Sequence, residues 1–230
     1  MQYPNIQRAT FLSRPNRFVA YCRLADGEVV ACHVKNTGRC RELLVENADG
    51  NCTVLLVRSD NPARTTLYDL VAVYKGNKLI NMDSSAPNRA AMEFLPILYP
   101  NATRIRPEYK WGNSRFDFLV EEPDCRRLVE VKGVTLEEDG HTRFPDAPNL
   151  RGEKHVEELI EARKQGLSAT LLFVIQMEDA IDFSPNDLTQ PAFRQALQRA
   201  REAGVELLAY GCRVREDSMT IVDPPIPILL

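Results

Sequence analysis

Three side chains in the stretch 114–133, SRFDFLVEEPDCRRLVEVKG, have the types and spacing to do chemistry together: Asp117, Glu130 and Lys132. The stretch alternates as two strands around a loop, Glu122-Pro123-Asp124-Cys125, with Pro123 at the second turn position, where its fixed φ is wanted. In that register Asp117 lies opposite Glu130, with Cβ atoms ~5 Å apart. Lys132 falls on the same face, two residues along and ~7 Å from Glu130. Phe116, Phe118, Val129 and Val131 are expected to point the other way, into a core.

Opposed carboxylates on a sheet are unfavourable unless one is protonated or a cation lies between them. Mg²⁺ takes oxygen ligands, commonly one or two carboxylates completed by water and substrate phosphate, and Mn²⁺ suits the same donors. Asp117 and Glu130 supply such a pair, and the Val131 carbonyl is a further oxygen. A cation there polarises a phosphodiester and acidifies a bound water. Lys132 is then placed to orient or activate that water, or to neutralise charge on the phosphate. Taken alone, the pattern also fits a surface Lys–Glu pair beside an unrelated aspartate.

The elements that must position these groups fall into two parts. Residues 1–80 read as mostly β: 8–14, two alternating runs around Asp26-Gly27, then 52–59 and 67–76. A segment of helical composition, 38–50, lies between the third and fourth strands. Five strands with a small helix at that point is the order of an OB-fold barrel, a fold that commonly binds nucleic acid; a barrel used only for packing has the same pattern. Residues 81–230 read as a mixed α/β domain. A helix capped by Ser85 runs to about Leu98, and the hairpin above follows it. A loop is expected over 134–150, then a helix with Val156, Leu159 and Ile160 on one face. SATLLFVIQ (168–176) has the continuous apolar run of a strand buried on both faces. A helix with Thr189 as cap and Gly204 as stop precedes a last short strand, 205–210.

Charge divides along the same line. Residues 1–80 hold 11 Lys and Arg against 7 Asp and Glu, net +4, and residues 81–230 hold 18 against 25, net −7. The basic first part invites a polyanionic partner. No segment has the ~18 consecutive apolar residues of a membrane span, and the amino-terminal residues lack the apolar region of a signal peptide. The six cysteines are scattered without a C-x-x-C pair, which suits reduced, mostly buried thiols in a cytoplasmic protein better than a zinc ribbon or a disulfide framework.

Asp117 with Glu130-Val131-Lys132 resembles the signature of the PD-(D/E)xK nuclease superfamily. Within it, HVKNTGRCRELL (33–44), SRFDFLV (114–120), EVKGVTL (130–136), FPDAPNLRGEKHVEELI (144–160) and GVELLAY (204–210) resemble the sugar fermentation stimulation protein A family. The resemblance implies an OB-like domain over 1–80, a nuclease-like domain over 81–230 and largely sequence-independent DNA binding. It also implies a regulatory link to sugar (maltose) metabolism, with active DNA cleavage as the alternative. It nominates Glu93, in the preceding helix, as a further metal-site acid, and Gln176 as a residue beside the metal. It nominates Arg151, Lys154 and His155, at a helix start suited to phosphate, as DNA contacts. Asn36-Thr37-Gly38 is a further family motif, with a tight turn expected at Gly38. His33 and His141 are read as structural.

Overall fold

The structure, a computed structural model, describes residues 1–36, 38–46 and 52–230. Six strands form the first part: β1 (Ile6–Ser13), β2 (Val19–Arg23), β3 (Val29–Val34), β4 (Thr53–Arg58), β5 (Tyr68–Lys75) and β6 (Lys78–Asn81). Their order is β3-β2-β1-β4-β5-β6, and a parallel pairing of β3 with β5 closes the first five into a barrel. This is OB-fold connectivity. The β2–β3 hairpin turns at Asp26-Gly27, with Gly27 at φ +91°, where a side chain would be strained. Inward alternation places Ala20, Cys22, Cys32, Val54 and Leu56 in the barrel core. The helix expected over 38–50 is absent from the part that is described: the Leu43 and Leu44 N–H groups both return to the Cys40 carbonyl in a single turn, and residues 47–51 lie outside the described residues.

The second part runs α1 (Ala86–Leu98), β7 (Arg104–Trp111), β8 (Ser114–Glu121), β9 (Arg126–Val134), β10 (Leu136–Glu138), β11 (His141–Phe144), α2 (Leu150–Lys164), β12 (Ser168–Ile175), β13 (Asp182–Pro185), α3 (Pro191–Glu202), β14 (Glu206–Arg215) and β15 (Ser218–Ile221). The main sheet is ordered β15-β14-β12-β9-β8-β7. The apolar run of β12 lies parallel to both β9 and β14, with Leu172 and Val174 facing α1 and Leu171 and Phe173 facing α2 and α3. It is buried on both faces, as its composition demands. The stretch 134–150 is not a bare loop. It carries β10 and β11, and β11 pairs in parallel with β13 to make a small second sheet.

Neither expected helix cap is made by its side chain, although Ser85 does stand at the N-cap position of α1. Ser85 makes no side-chain cap; its hydroxyl donates to Asp83 Oδ1 at 2.7 Å. Thr189 lies one residue too early, and its hydroxyl accepts from Asn186 Nδ2 at 2.8 Å. By contrast α2 is capped by Asn149, whose Oδ1 accepts from the Gly152 N–H at 2.8 Å.

The two parts are tied together by buried polar contacts. Asp83, fully buried between β6 and α1, accepts from Lys35, Arg89, Ser85 and the Tyr3 hydroxyl. Burial works to raise its pKa, but these donors outweigh it and hold the carboxyl below its ordinary value. Lys75 and Lys78 of the barrel grip the buried Glu137 of β10 at 2.7 and 2.9 Å.

Candidate functional site

The β8–β9 ladder has the register read from the sequence: Glu121 faces Arg126, and pairing continues to Phe118 with Val129. The Glu122 N–H closes the turn on the Cys125 carbonyl at 2.9 Å. Beyond Phe118 and Val129 a side chain replaces the ladder. Asp117 Oδ2 accepts from the Val131 N–H at 2.7 Å, and Oδ1 accepts from Asn88 Nδ2 at 2.6 Å, at the start of α1. On β7, Glu108 sits between the paired residues Pro107 and Tyr109 with φ +53°. The expected alternation breaks here. Phe118, Val129 and Val131 face α1, but Phe116 packs on the α2 side, 5.8 Å from the His155 ring. The sheet is therefore irregular where the acids meet, and that irregularity gives Asp117 room to turn to Val131.

Glu130 is 3% exposed. Its Oε1 receives Lys132 Nζ at 2.5 Å and His155 Nδ1 from α2. Arg151 Nε lies 3.5 Å from His155 Nε2, one helical turn away. That contact makes Nε2 the acceptor, so Nδ1 carries the proton donated to Glu130. The other carboxylate oxygen, Oε2, is buried and has no hydrogen-bond partner among the described residues. A buried ionised oxygen without a donor or cation is costly and rare.

The electrostatics of the two acids diverge. Burial, and then the charge of Glu130, push Asp117 up to about 6. Burial acts on Glu130 in the same sense, but the hydrogen bond from His155 and the charge of Lys132 outweigh it and hold Glu130 below its ordinary value. Opposed shifts in neighbouring acids mark a site arranged for charge.

Of the residues nominated from the sequence, Asp117, Glu130, Lys132, His155 and Arg151 converge. His155 meets the carboxylate pair instead of solvent. Lys154 remains at the surface, 3.7 Å from Glu158. Glu93 is not brought to the pair. It lies further along α1, exposed, and takes the α-amino group of Met1 at 2.6 Å; the α1 residue that reaches Asp117 is Asn88, in the first turn. Gln176 follows β12 and is buried, but its amide is committed to the joint between the parts. Nε2 donates to the Asn81 carbonyl and Oδ1 and to the Asp83 carbonyl, at 3.0 to 3.2 Å. Asn88 was missed because a lone asparagine after Pro87 carries no chemical spacing. His33 and His141 pair with Asp69 and Asp182 at 3.3 and 2.8 Å, as structural histidines do.

An OB barrel joined to a mixed α/β domain, with an acid–acid–lysine set on a divergent hairpin, is the architecture of a nuclease-like fold with an appended barrel. Two family models match in that order: the SfsA N-terminal OB domain over residues 12–82 and the sugar fermentation stimulation protein RE domain over residues 85–218. A sugar fermentation stimulation protein homolog of Clostridium beijerinckii is 48% identical, over 97% of both chains. One from Desulfitobacterium hafniense is 49% identical, over 97% of this chain and 96% of its own. The structure of Pyrococcus furiosus SfsA in complex with Ca²⁺ superposes with a TM-score of 0.85 at 25% identity, covering 100% of this chain and 98% of that one. The chain belongs to the sugar fermentation stimulation protein family.

Proposed function

We propose that this chain is a DNA-binding protein whose Asp117–Glu130–Lys132 set is a divalent-cation site directed at the phosphodiester backbone. The observation that carries the reading is Glu130 Oε2, a buried carboxylate oxygen with no partner among the described residues, beside an aspartate whose pKa is raised by burial and by Glu130 itself. Both features are relieved by a cation. All-oxygen donors suit Mg²⁺, Mn²⁺ or Ca²⁺, and the P. furiosus relative was solved in complex with Ca²⁺. Among the described residues no group of three His, Cys, Asp or Glu side chains is set to hold a metal. The remaining ligands are therefore water, backbone or substrate, as is usual for Mg²⁺.

Asp117 and Glu130 would hold the cation, which when bound supplies Lewis acidity toward a phosphate oxygen and a water. Lys132 and His155 fix Glu130 by occupying Oε1, with Arg151 holding the far side of the His155 ring, so that Oε2 is the oxygen left for a ligand. Lys132 places an ammonium beside the pair, where it neutralises phosphate charge or holds a water by hydrogen bonding. DNA as the polyanion is supported by the OB connectivity and by exposed Arg17, Arg39 and Arg41 on the barrel loops. Among the described residues no helix is long and apolar enough to cross a membrane.

The test compares wild type, Asp117→Asn and Lys132→Ala from identical preparations, on single- and double-stranded DNA with Mg²⁺ or Mn²⁺. Cleavage by wild type, lost in Asp117→Asn with binding retained and reduced ~10²-fold in Lys132→Ala, supports an active nuclease. Binding without cleavage on every substrate supports a binding protein that regulates sugar metabolism, the reading suggested by the relatives' name. A wild type that binds no DNA overturns both.

A further inference from the structure

A cavity of about 310 Å³ opens at the joint between barrel and α/β domain. Its floor includes Gly133, the residue after Lys132, and Gln176. Its walls include Arg17 and Asn36 from barrel loops, Ser84 from the connection, and Arg143 from β11. The Asn36-Thr37-Gly38 motif finds its use here; Thr37 itself lies outside the described residues. Asn36 Oδ1 accepts from the Gly38 N–H at 2.7 Å, while Nδ2 donates to the Met82 carbonyl at 3.0 Å. A Cβ on Gly38 would stand 2.7 Å from Asp146 Oδ2, the oxygen that accepts the Cys40 N–H at 3.0 Å. Arg14 gathers the carbonyls of Arg17, Asn36, Gly38 and Arg39 at 2.7 to 3.4 Å. The wall is thus set before any ligand arrives.

Two groups in this rigid cavity are unspent. Gln176 is 1% exposed and gives its amide protons to Asn81 and Asp83, but its Oε1 accepts no hydrogen bond among the described residues. Arg17 is exposed and has no carboxylate partner among the described residues, while Arg143 meets only the exposed Glu138, at 3.1 Å. The floor is equally restricted: a Cβ on Gly133 would meet Gln176 Oε1 and, at 2.7 Å, Pro87 Cγ. A buried acceptor below and guanidinium groups at the rim match a ligand with a donor edge and a phosphate. The volume is at the small end of ligand sites, enough for one nucleoside and too little for a duplex. Every unpaired base offers an N–H donor, so such an acceptor holds a base without choosing its sequence.

We propose that this cavity receives one unpaired nucleotide of the strand that reaches the carboxylate site, its base on Gln176 Oε1 and its phosphate on Arg17 and Arg143. The inference rests on the nucleic-acid reading above and makes single-stranded, or locally unpaired, DNA the preferred ligand.

The test uses fluorescence anisotropy in Ca²⁺ with three probes: a single-stranded dodecamer, a base-free dodecamer of abasic residues, and the paired duplex. Ser84→Tyr plugs the cavity from its exposed rim, and retention of the Ca²⁺-induced rise in melting temperature shows that the variant is folded. The expected result is a loss of ~10-fold for the base-bearing strand in Ser84→Tyr, as for one base contact, with the base-free strand and duplex unchanged. Arg17→Ala should weaken both single strands alike, by loss of a phosphate contact. Equal loss on both strands, no loss on either, or a duplex that binds tightest and is hurt by the plug would each overturn the proposal. If wild type binds none of the three probes, the nucleic-acid reading fails and the cavity assignment fails with it. If wild type binds and the plug changes nothing, only the cavity assignment fails.

Discussion

At the scale of single residues, Asp117 and Glu130 set up a conflict that the fold does not relax. Burial and Glu130 raise Asp117 from 3.8 to about 6. A carboxyl with a raised folded-state pKa contributes stability below its unfolded pKa and loses it as pH rises through the folded one. Without metal, the protein should therefore lose stability between pH 4 and 6 through this group, by at most about 3 kcal/mol. Asp117→Asn removes that loss, and the Asn88 amide can reverse to match it. Urea titrations should show the variant more stable at pH 8, with the gap closing below pH 4. A constant gap at all pH values would show that Asp117 is not strained by charge. If Asp117 is a cation ligand as proposed, the affinity should fall as pH drops below about 6. His155 would act on a bound cation through Glu130, so His155→Ala should weaken Mn²⁺ binding ~10- to 100-fold. Calorimetry in parallel with His155→Gln, which can still donate to Oε1, separates that effect from lost packing: the glutamine variant should recover part of the affinity.

At the scale of elements, the hairpin and its partners differ in how much their sequence reveals. The β8–β9 register was legible because Pro123 fixes the turn and because apolar alternation tolerates no slip by one residue. β12 was legible from its unbroken apolar run. β7 was not: Pro107 interrupts it, and most of its side chains are partly or fully exposed, so no period shows. β10, β11 and β13 are three or four residues each, too short for a pattern, and are held by long-range partners. The grip of Lys75 and Lys78 on Glu137 belongs to this class of contact. Burial opposes the charge on Glu137, but the two lysines and the Gly140 N–H outweigh it and hold the carboxyl at about 2. Its contribution is present above the ordinary glutamate pKa and is lost as pH falls through about 2. Glu137→Gln should cost at most about 3 kcal/mol at pH 7 and little below pH 2.5, measured by denaturant titration. An equal cost at both would assign the effect to packing. At the joint, Gly38→Ala should lower the melting temperature, because the added Cβ crowds Asp146 and Asn36, whose bonds to the Cys40 N–H and the Met82 carbonyl tie the barrel loop to the second domain.

At the scale of the molecule, a basic barrel is fixed against an acidic α/β domain, and the strand that carries Glu130 and Lys132 continues through Gly133 to the floor of the joint cavity. The site's three motif residues were readable in one hairpin. Its supports were read less fully: His155 was nominated as a phosphate contact but reaches Glu130 across 25 residues, and Asn88, which reaches Asp117 across 29, was not nominated. Binding to unrelated DNA should be similar and should fall with salt, at a log–log slope of about −0.7 per phosphate on a single strand. An affinity indifferent to salt would contradict the placement of the arginines in the interface. The proposed cation would bind through Glu130 Oε2, which has no partner among the described residues. Crystals soaked in Mn²⁺ test that binding most directly, by anomalous scattering. The account predicts one ordered peak within bonding distance of Glu130 Oε2 and an Asp117 oxygen, absent from Asp117→Asn crystals treated alike. Wild-type crystals at millimolar Mn²⁺ with no peak there, or with metal held only by other residues, would contradict it.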